Sequence, residues 1–123
     1  MMNPVEQRKH MTDTIFDKIL KKEIPADVVY EDEDVLAFRD VNPQAPIHIL
    51  EIPKNKFEGF ANLSDADPQA VGAYITKVSK VAKLLNLEEG YRIVFNQGQH
   101  GQQTVHYIHA HILAGRQMQW PPG

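Results

Sequence analysis

Thr104-Val105-His106-Tyr107-Ile108-His109-Ala110-His111-Ile112-Leu113 is the stretch on which the reading of this chain turns. It reads as a strand, and successive side chains of a strand point to opposite faces. Tyr107, His109 and His111 therefore share one face, while His106, Ile108, Ala110 and Ile112 share the other. Residues two apart on a strand lie roughly 6.6 Å from each other, a span that two imidazole nitrogens can close around a single phosphoryl group. Three of the six histidines fall in this short stretch, beside a Gly/Gln-rich loop from Gln97 to Gln103, which argues against unrelated surface residues. His109 and His111 are also a workable pair of zinc ligands that would need a third, such as His48 or His100. No Cys is present and no carboxylate stands at a recognisable spacing, so a metal is the lesser reading.

Working outward, Tyr91 to Asn96 reads as the strand before the loop. Upstream, a long helix is expected from Ser64 as its cap, with Val71, Tyr74, Val78, Val81 and Leu85 on one face and Leu87-Glu88-Glu89-Gly90 at its end. Val28 to Tyr30 and Val35 to Phe38 flank the acidic turn Glu31-Asp32-Glu33-Asp34 as a hairpin, and Ile47 to Ile52 follows as a strand between Pro46 and Pro53. A short helix over Thr14 to Lys22, with Asp13 as N-cap and Pro25 closing it, precedes them. Strands grouped around two helices, without regular β-α-β alternation, give an α+β domain with an antiparallel sheet. Trp120-Pro121-Pro122-Gly123 forms a non-helical tail.

At 123 residues the chain fits one domain. Its 13 basic and 16 acidic residues leave a net charge of -3, without the positive surplus that holds a nucleic-acid backbone. A small phosphorylated ligand stays open, because one anion can be held by backbone N–H groups, imidazoles and hydroxyls. The absence of cysteine removes disulfides and a thiol nucleophile. No apolar run reaches a membrane span, and the polar start lacks a secretory core, so a cytoplasmic location is expected and a membrane partner is not.

The sequence resembles the histidine-triad (HIT) family, specifically its Hint branch of nucleoside phosphoramidases. The resemblance runs from Asp13 to Gly123 through Ile15-Phe16-Asp17-Lys18-Ile19, Phe38 to His48, Ile52-Pro53-Lys54, Gly101 to Arg116 and Gln117 to Gly123. The family's alternation of His with apolar residues is met by His109-Ala110-His111-Ile112-Leu113-Ala114-Gly115. Its first histidine is replaced by Tyr107, and a histidine stands one place earlier at His106, which strand alternation turns away from the active face. Lys56 stands where relatives often have His, and Gln102 where a Gly commonly lets the loop approach phosphate.

The resemblance implies a HIT-like fold: a five-stranded antiparallel sheet with two helices per subunit, the sheets joined across a homodimer. The domain would span 13–123 after a flexible segment 1–12. It further implies that purine nucleoside 5′-phosphoramidates of AMP or GMP are hydrolysed through a nucleotidyl-histidine, without a cofactor, in the cytoplasm or nucleus. His109 matches the nucleophile, and a neutral imidazole attacks in line if its other nitrogen keeps a proton, as on a backbone carbonyl. His111 is assigned to the non-bridging phosphate oxygens. Thr104 and Gln103 match residues near the phosphate and leaving group, and His48 one behind the triad that orients it. Asp40 matches the carboxylate on the ribose hydroxyls, with Ile15, Phe16, Ile19, Phe38 and Val41 forming the base slot. Asn96 and Gln102 complete the nucleotide contacts, and Trp120 of the tail approaches the partner's site. The competing function is a nucleotide sensor or scaffold in which Tyr107 has blunted turnover.

Overall fold

The computed structural model describes residues 13–123; the expected flexible segment 1–12 lies outside the described residues. The elements are α1 (Ile15–Leu20), β1 (Val28–Glu31), β2 (Val35–Arg39), β3 (Ile47–Pro53), a 3-10 turn (Phe60–Asp65), α2 (Pro68–Leu84), β4 (Arg92–Val94) and β5 (Ala110–Ala114). The five strands form one sheet in the order β1-β2-β3-β5-β4, every neighbouring pair antiparallel. The α+β expectation therefore holds. No helix among the described residues is long and apolar enough to cross a membrane.

Both helices begin later than the sequence suggests. Thr14, not Asp13, caps α1: its hydroxyl accepts from the N–H groups of Phe16 and Asp17, and Asp17 reaches back to the Thr14 N–H at 2.7 Å. That reciprocal pair satisfies two orphan donors at once, so it outcompetes Asp13, which binds Lys21 instead. Lys22, in a left-handed conformation with φ 62°, ends the turn three residues before Pro25. The long helix starts after Asp67, whose carboxylate accepts from Gln69, because Pro68 has no N–H to lose at a first position and disfavours helical geometry before it. Ser64 lies in the 3-10 turn and its hydroxyl donates to the Ala61 carbonyl, leaving it no capping role.

The two faces of the sheet are covered unequally. On one, Val35, Ala37, Ile49, Ala110 and Ile112 pack with Tyr74, Val78 and Val81 of α2, the helix face read from the sequence. On the other, Leu36, Phe38, Leu50, Ile52 and Tyr107 pack around Phe16, the one fully buried side chain of the short α1. The first face is dry core, and the second is left partly open. At the β1–β2 turn Asp32 accepts from the Asp34 and Val35 N–H groups, the Tyr30 hydroxyl and the Lys77 ammonium, which fixes the expected hairpin.

The ladder of β5 is shorter than the strand read over Thr104 to Leu113. It begins at Ala110, opposite Glu51 of β3, and β3 ends two residues later at Pro53, which has no N–H to donate. The chain before Ala110 finds other partners: the Ile108 N–H donates to the Phe57 carbonyl at 2.7 Å, and the Tyr107 hydroxyl to the Pro53 carbonyl. Alternation survives without the ladder, with His106 exposed, Tyr107 in the α1-side core and Ile108 in the α2-side core.

Glu51 breaks the apolar pattern of β3. It is fully buried, neither carboxylate oxygen has a hydrogen-bond partner among the described residues, and burial pushes its carboxyl up to about 8. An acid whose folded pKa is raised adds nothing unfavourable while both states are protonated, and lowers stability as pH climbs from its unfolded value near 4.5 toward 8. Urea unfolding should therefore show wild type losing stability relative to Glu51→Gln, on the order of a few kcal/mol, between about pH 5 and about pH 8. A difference between the two proteins that stays constant with pH would show that this carboxyl is not shielded from water.

Candidate functional site

The open face of the sheet holds a cavity of about 550 Å³ between α1, the segment after it, β2, β3 and the chain leading into β5. Of the residues singled out in the sequence, Ile15, Phe16, Ile19, Phe38, Asp40, Val41, Thr104, His109 and His111 line it. Ile24, Pro25, Ala26, Arg39, Leu50 and Val105 also line it and were not foreseen. Pro25 reads as a helix terminator, and only the return of the chain across the end of β2 makes it and Ala26 a wall.

Other expected contacts lie elsewhere. His48, expected to orient the triad, is buried and does not line the cavity. The Gln103 side chain braces its own loop, accepting from the Gly98 N–H and donating to the Glu58 and Val105 carbonyls, so it does not face the cavity. Gln102 adopts a left-handed φ of 59°, the conformation that explains why glycine suits this position. Neither Gln102 nor Asn96 lines the cavity; Trp120, expected at a partner's site and not at this one, is 82% exposed.

Backbone groups determine which imidazole nitrogen carries each proton. His109 Nδ1 lies 2.7 Å from the Tyr107 carbonyl, which can only accept, so Nδ1 holds the proton and Nε2 keeps its lone pair. The Gln44 N–H points at His48 Nδ1 at 3.0 Å, which places the His48 proton on Nε2. That nitrogen stands 2.9 Å from His111 Nδ1 and 3.4 Å from Asp40 Oδ2. His111 Nδ1 therefore accepts, and its Nε2–H remains as a donor, buried and without a partner among the described residues. His109 and His111 stand with ring centroids 4.9 Å apart, and Phe16 meets His109 edge-on at the same separation.

Burial holds both cavity imidazoles neutral near pH 7. It pushes His109 below the ordinary histidine value against the Tyr107 hydrogen bond and Asp40, and it pushes His111, with help from His109 and His48, down to about 4. His48 is also lowered by its burial, with Asp40 opposing. The site thus presents an unprotonated nitrogen on His109 and a neutral N–H on His111, side by side.

Asp40, His48 and His111 bring one donor atom each within 4.8 Å of one another, a grouping that could invite a metal ion. His48 does not fit that role here, because the nitrogen facing the group carries the proton that Gln44 excludes from the other. The cluster is a hydrogen-bond relay running from Gln44 through His48 to His111.

A family model described as the HIT domain matches residues 21–118. A Zea mays protein named 14 kDa zinc-binding protein is 59% identical over 113 residues, covering 89% of this chain and 88% of its own. An Arabidopsis thaliana protein named adenylylsulfatase HINT1 is 52% identical over 113 residues, covering 89% and 76% respectively. The crystal structure of a HIT family hydrolase from Legionella pneumophila Philadelphia 1 is similar with a TM-score of 0.84 and 46% identity, covering 90% of this chain and 100% of that one. A histidine held by the main chain at the entry to this sheet, and identity of this degree along most of the chain, lead to one assignment: the protein belongs to the histidine-triad family, on its Hint branch.

Proposed function

We propose that the protein hydrolyses purine nucleoside 5′-phosphoramidates through a phosphorus–nitrogen bond to His109. The observation that carries this reading is the His109 ring, whose Nδ1–H is spent on the Tyr107 carbonyl while Nε2 keeps its lone pair beside the cavity. In the first step Nε2 attacks phosphorus, the bond from phosphorus to the amine breaks, and the amine leaves with a proton. In the second, water attacks phosphorus, the bond to His109 breaks, and a nucleoside monophosphate is released. The His111 Nε2–H donates to a non-bridging oxygen as charge builds there. Thr104, lining the cavity and exposed to solvent, has the hydroxyl to relay the leaving-group proton. Asp40 accepts from the ribose hydroxyls, and the apolar wall of Ile15, Phe16, Ile19 and Phe38 takes the base.

The adenylylsulfatase name of the Arabidopsis relative extends the leaving group to sulfate, which departs without a proton and would draw less on Thr104. The zinc-binding name of the maize relative favours a metal-dependent second reading, against which stands the proton on His48. Rapid quench with an adenosine phosphoramidate should yield an acid-labile adduct on His109, and chelator should leave turnover unchanged. An adduct on another residue, or activity abolished by chelator and restored by zinc, would overturn the mechanism. Retained AMP binding with no turnover by the wild type would support the sensor role instead.

The exchange of His106 and Tyr107 bears on rate. Tyr107 is anchored by its hydroxyl and supplies its carbonyl whatever its side chain, while His106 faces outward. The double exchange His106→Tyr with Tyr107→His should therefore change kcat/KM by no more than a few-fold. A gain of about a hundredfold, worth about 2.7 kcal/mol in the transition state, would show that an imidazole at position 107 handles protons.

A homodimer is part of the proposal. β4 is an edge strand with one side unpaired in this sheet, and Arg92 on it donates to the Gln119 carbonyl, holding the tail with its exposed Trp120 beside that edge. Sedimentation at micromolar concentration should give twice the chain mass, and a stable monomer would count against joined sheets.

A further inference from the structure

Helix α1 is the lightly held wall of the cavity. Its six residues are too few to be stable alone, and Phe16 is the one side chain it buries fully. The side-chain hydrogen bonds at its start, between Thr14 and Asp17 and between Asp13 and Lys21, stay within the helix and its flanks. Among the described residues one such bond leaves the helix for the rest of the fold: Lys56, just beyond β3, donates to Asp17 Oδ2 at 2.9 Å. The pair is largely shielded, with side chains 28% and 15% exposed, a setting in which a charge-assisted hydrogen bond counts for more than at an open surface.

The same ammonium lies 5.4 Å from the centre of the Tyr107 ring. Phe16 packs edge-on to that ring and to His109. Lys56, Asp17, Phe16 and Tyr107 are thus linked by contacts that tie the first turn of α1 to the segment carrying His109.

We propose that Lys56 is a positioning residue that sets affinity for the nucleotide base: it holds α1 against the sheet so that Ile15, Phe16 and Ile19 form a fixed wall. This rests on the nucleotide reading above. The reaction step itself is insulated from Lys56, because the Tyr107 carbonyl is fixed by other bonds, its hydroxyl on Pro53 and the neighbouring Ile108 N–H on Phe57. Asp17 keeps its cap to Thr14 without Lys56, so the helix persists while its attachment is lost.

The test compares wild type with Lys56→Met, which keeps an apolar stem over the ring, and with Lys56→Arg, which can reach the same carboxylate and stack on the same face. Calorimetric titration with AMP and steady-state turnover of an adenosine phosphoramidate should show Kd and KM raised about tenfold in Lys56→Met, with kcat within about threefold and affinity largely restored in Lys56→Arg. Hydrogen exchange should quicken in α1 of the Met variant and stay unchanged in β3 and β5, which separates a loosened wall from general unfolding. Unchanged AMP affinity in Lys56→Met, or a loss falling on kcat alone, overturns this inference and leaves the nucleotide reading standing. Wild type that binds no AMP overturns the nucleotide reading, and this inference with it.

Discussion

A neutral imidazole can attack through one nitrogen only while the other keeps its proton, and in this protein the main chain meets that condition. The bond from His109 Nδ1 to the Tyr107 carbonyl fixes both the tautomer and the ring direction. It depends in turn on where the segment before β5 runs. Pro53, with no N–H, stops the β3–β5 ladder short, and the freed segment is fixed instead by the Tyr107 hydroxyl and the Ile108 N–H. The carbonyl is therefore placed by packing and hydrogen bonds that do not require an imidazole at position 107.

The second imidazole follows the same logic at one remove. Gln44, in the turn before β3, donates its N–H to His48, and His48 passes the constraint to His111, whose outer nitrogen is left as a donor. Burial keeps the cavity pair neutral, so the site offers an unprotonated nitrogen and a hydrogen-bond donor without net positive charge. That agrees with a chain whose net charge is -3 and which has no basic surplus for an extended polyanion. The unequal covering of the sheet completes the arrangement. The seventeen-residue α2 seals one face, and the six-residue α1 leaves room on the other for a ligand.

Much of this was legible in the order of residues. Alternation through Tyr107, Ile108, His109, Ala110 and His111 assigned each side chain to its face, and that assignment holds even where no ladder forms, because burial on two sides enforces it. The strands of the hairpin, β3 and the buried face of α2 followed from hydrophobic period. Helix starts were less legible, since Asp13 and Thr14, or Ser64 and Asp67, are all acceptable caps, and the choice between them is made by reciprocal bonds and by Pro68. Gln103 is a case of a polar loop residue consumed by its own loop, which composition cannot distinguish from a ligand contact.

By itself the sequence determined the α+β class, the two faces of the histidine segment, and the candidates for nucleophile and apolar slot, all of which depend on local period and residue chemistry. Only the tertiary structure decided the protons and the neighbours. It brought Gln44 to His48 and His48 to His111, set Asp40 beside both, folded Pro25 and Ala26 into the cavity wall, and laid Lys56 across Tyr107 onto Asp17. These pairings join residues on different elements, so no spacing along the chain encodes them, and a hydrogen bond a few tenths of an ångström too long no longer fixes a tautomer.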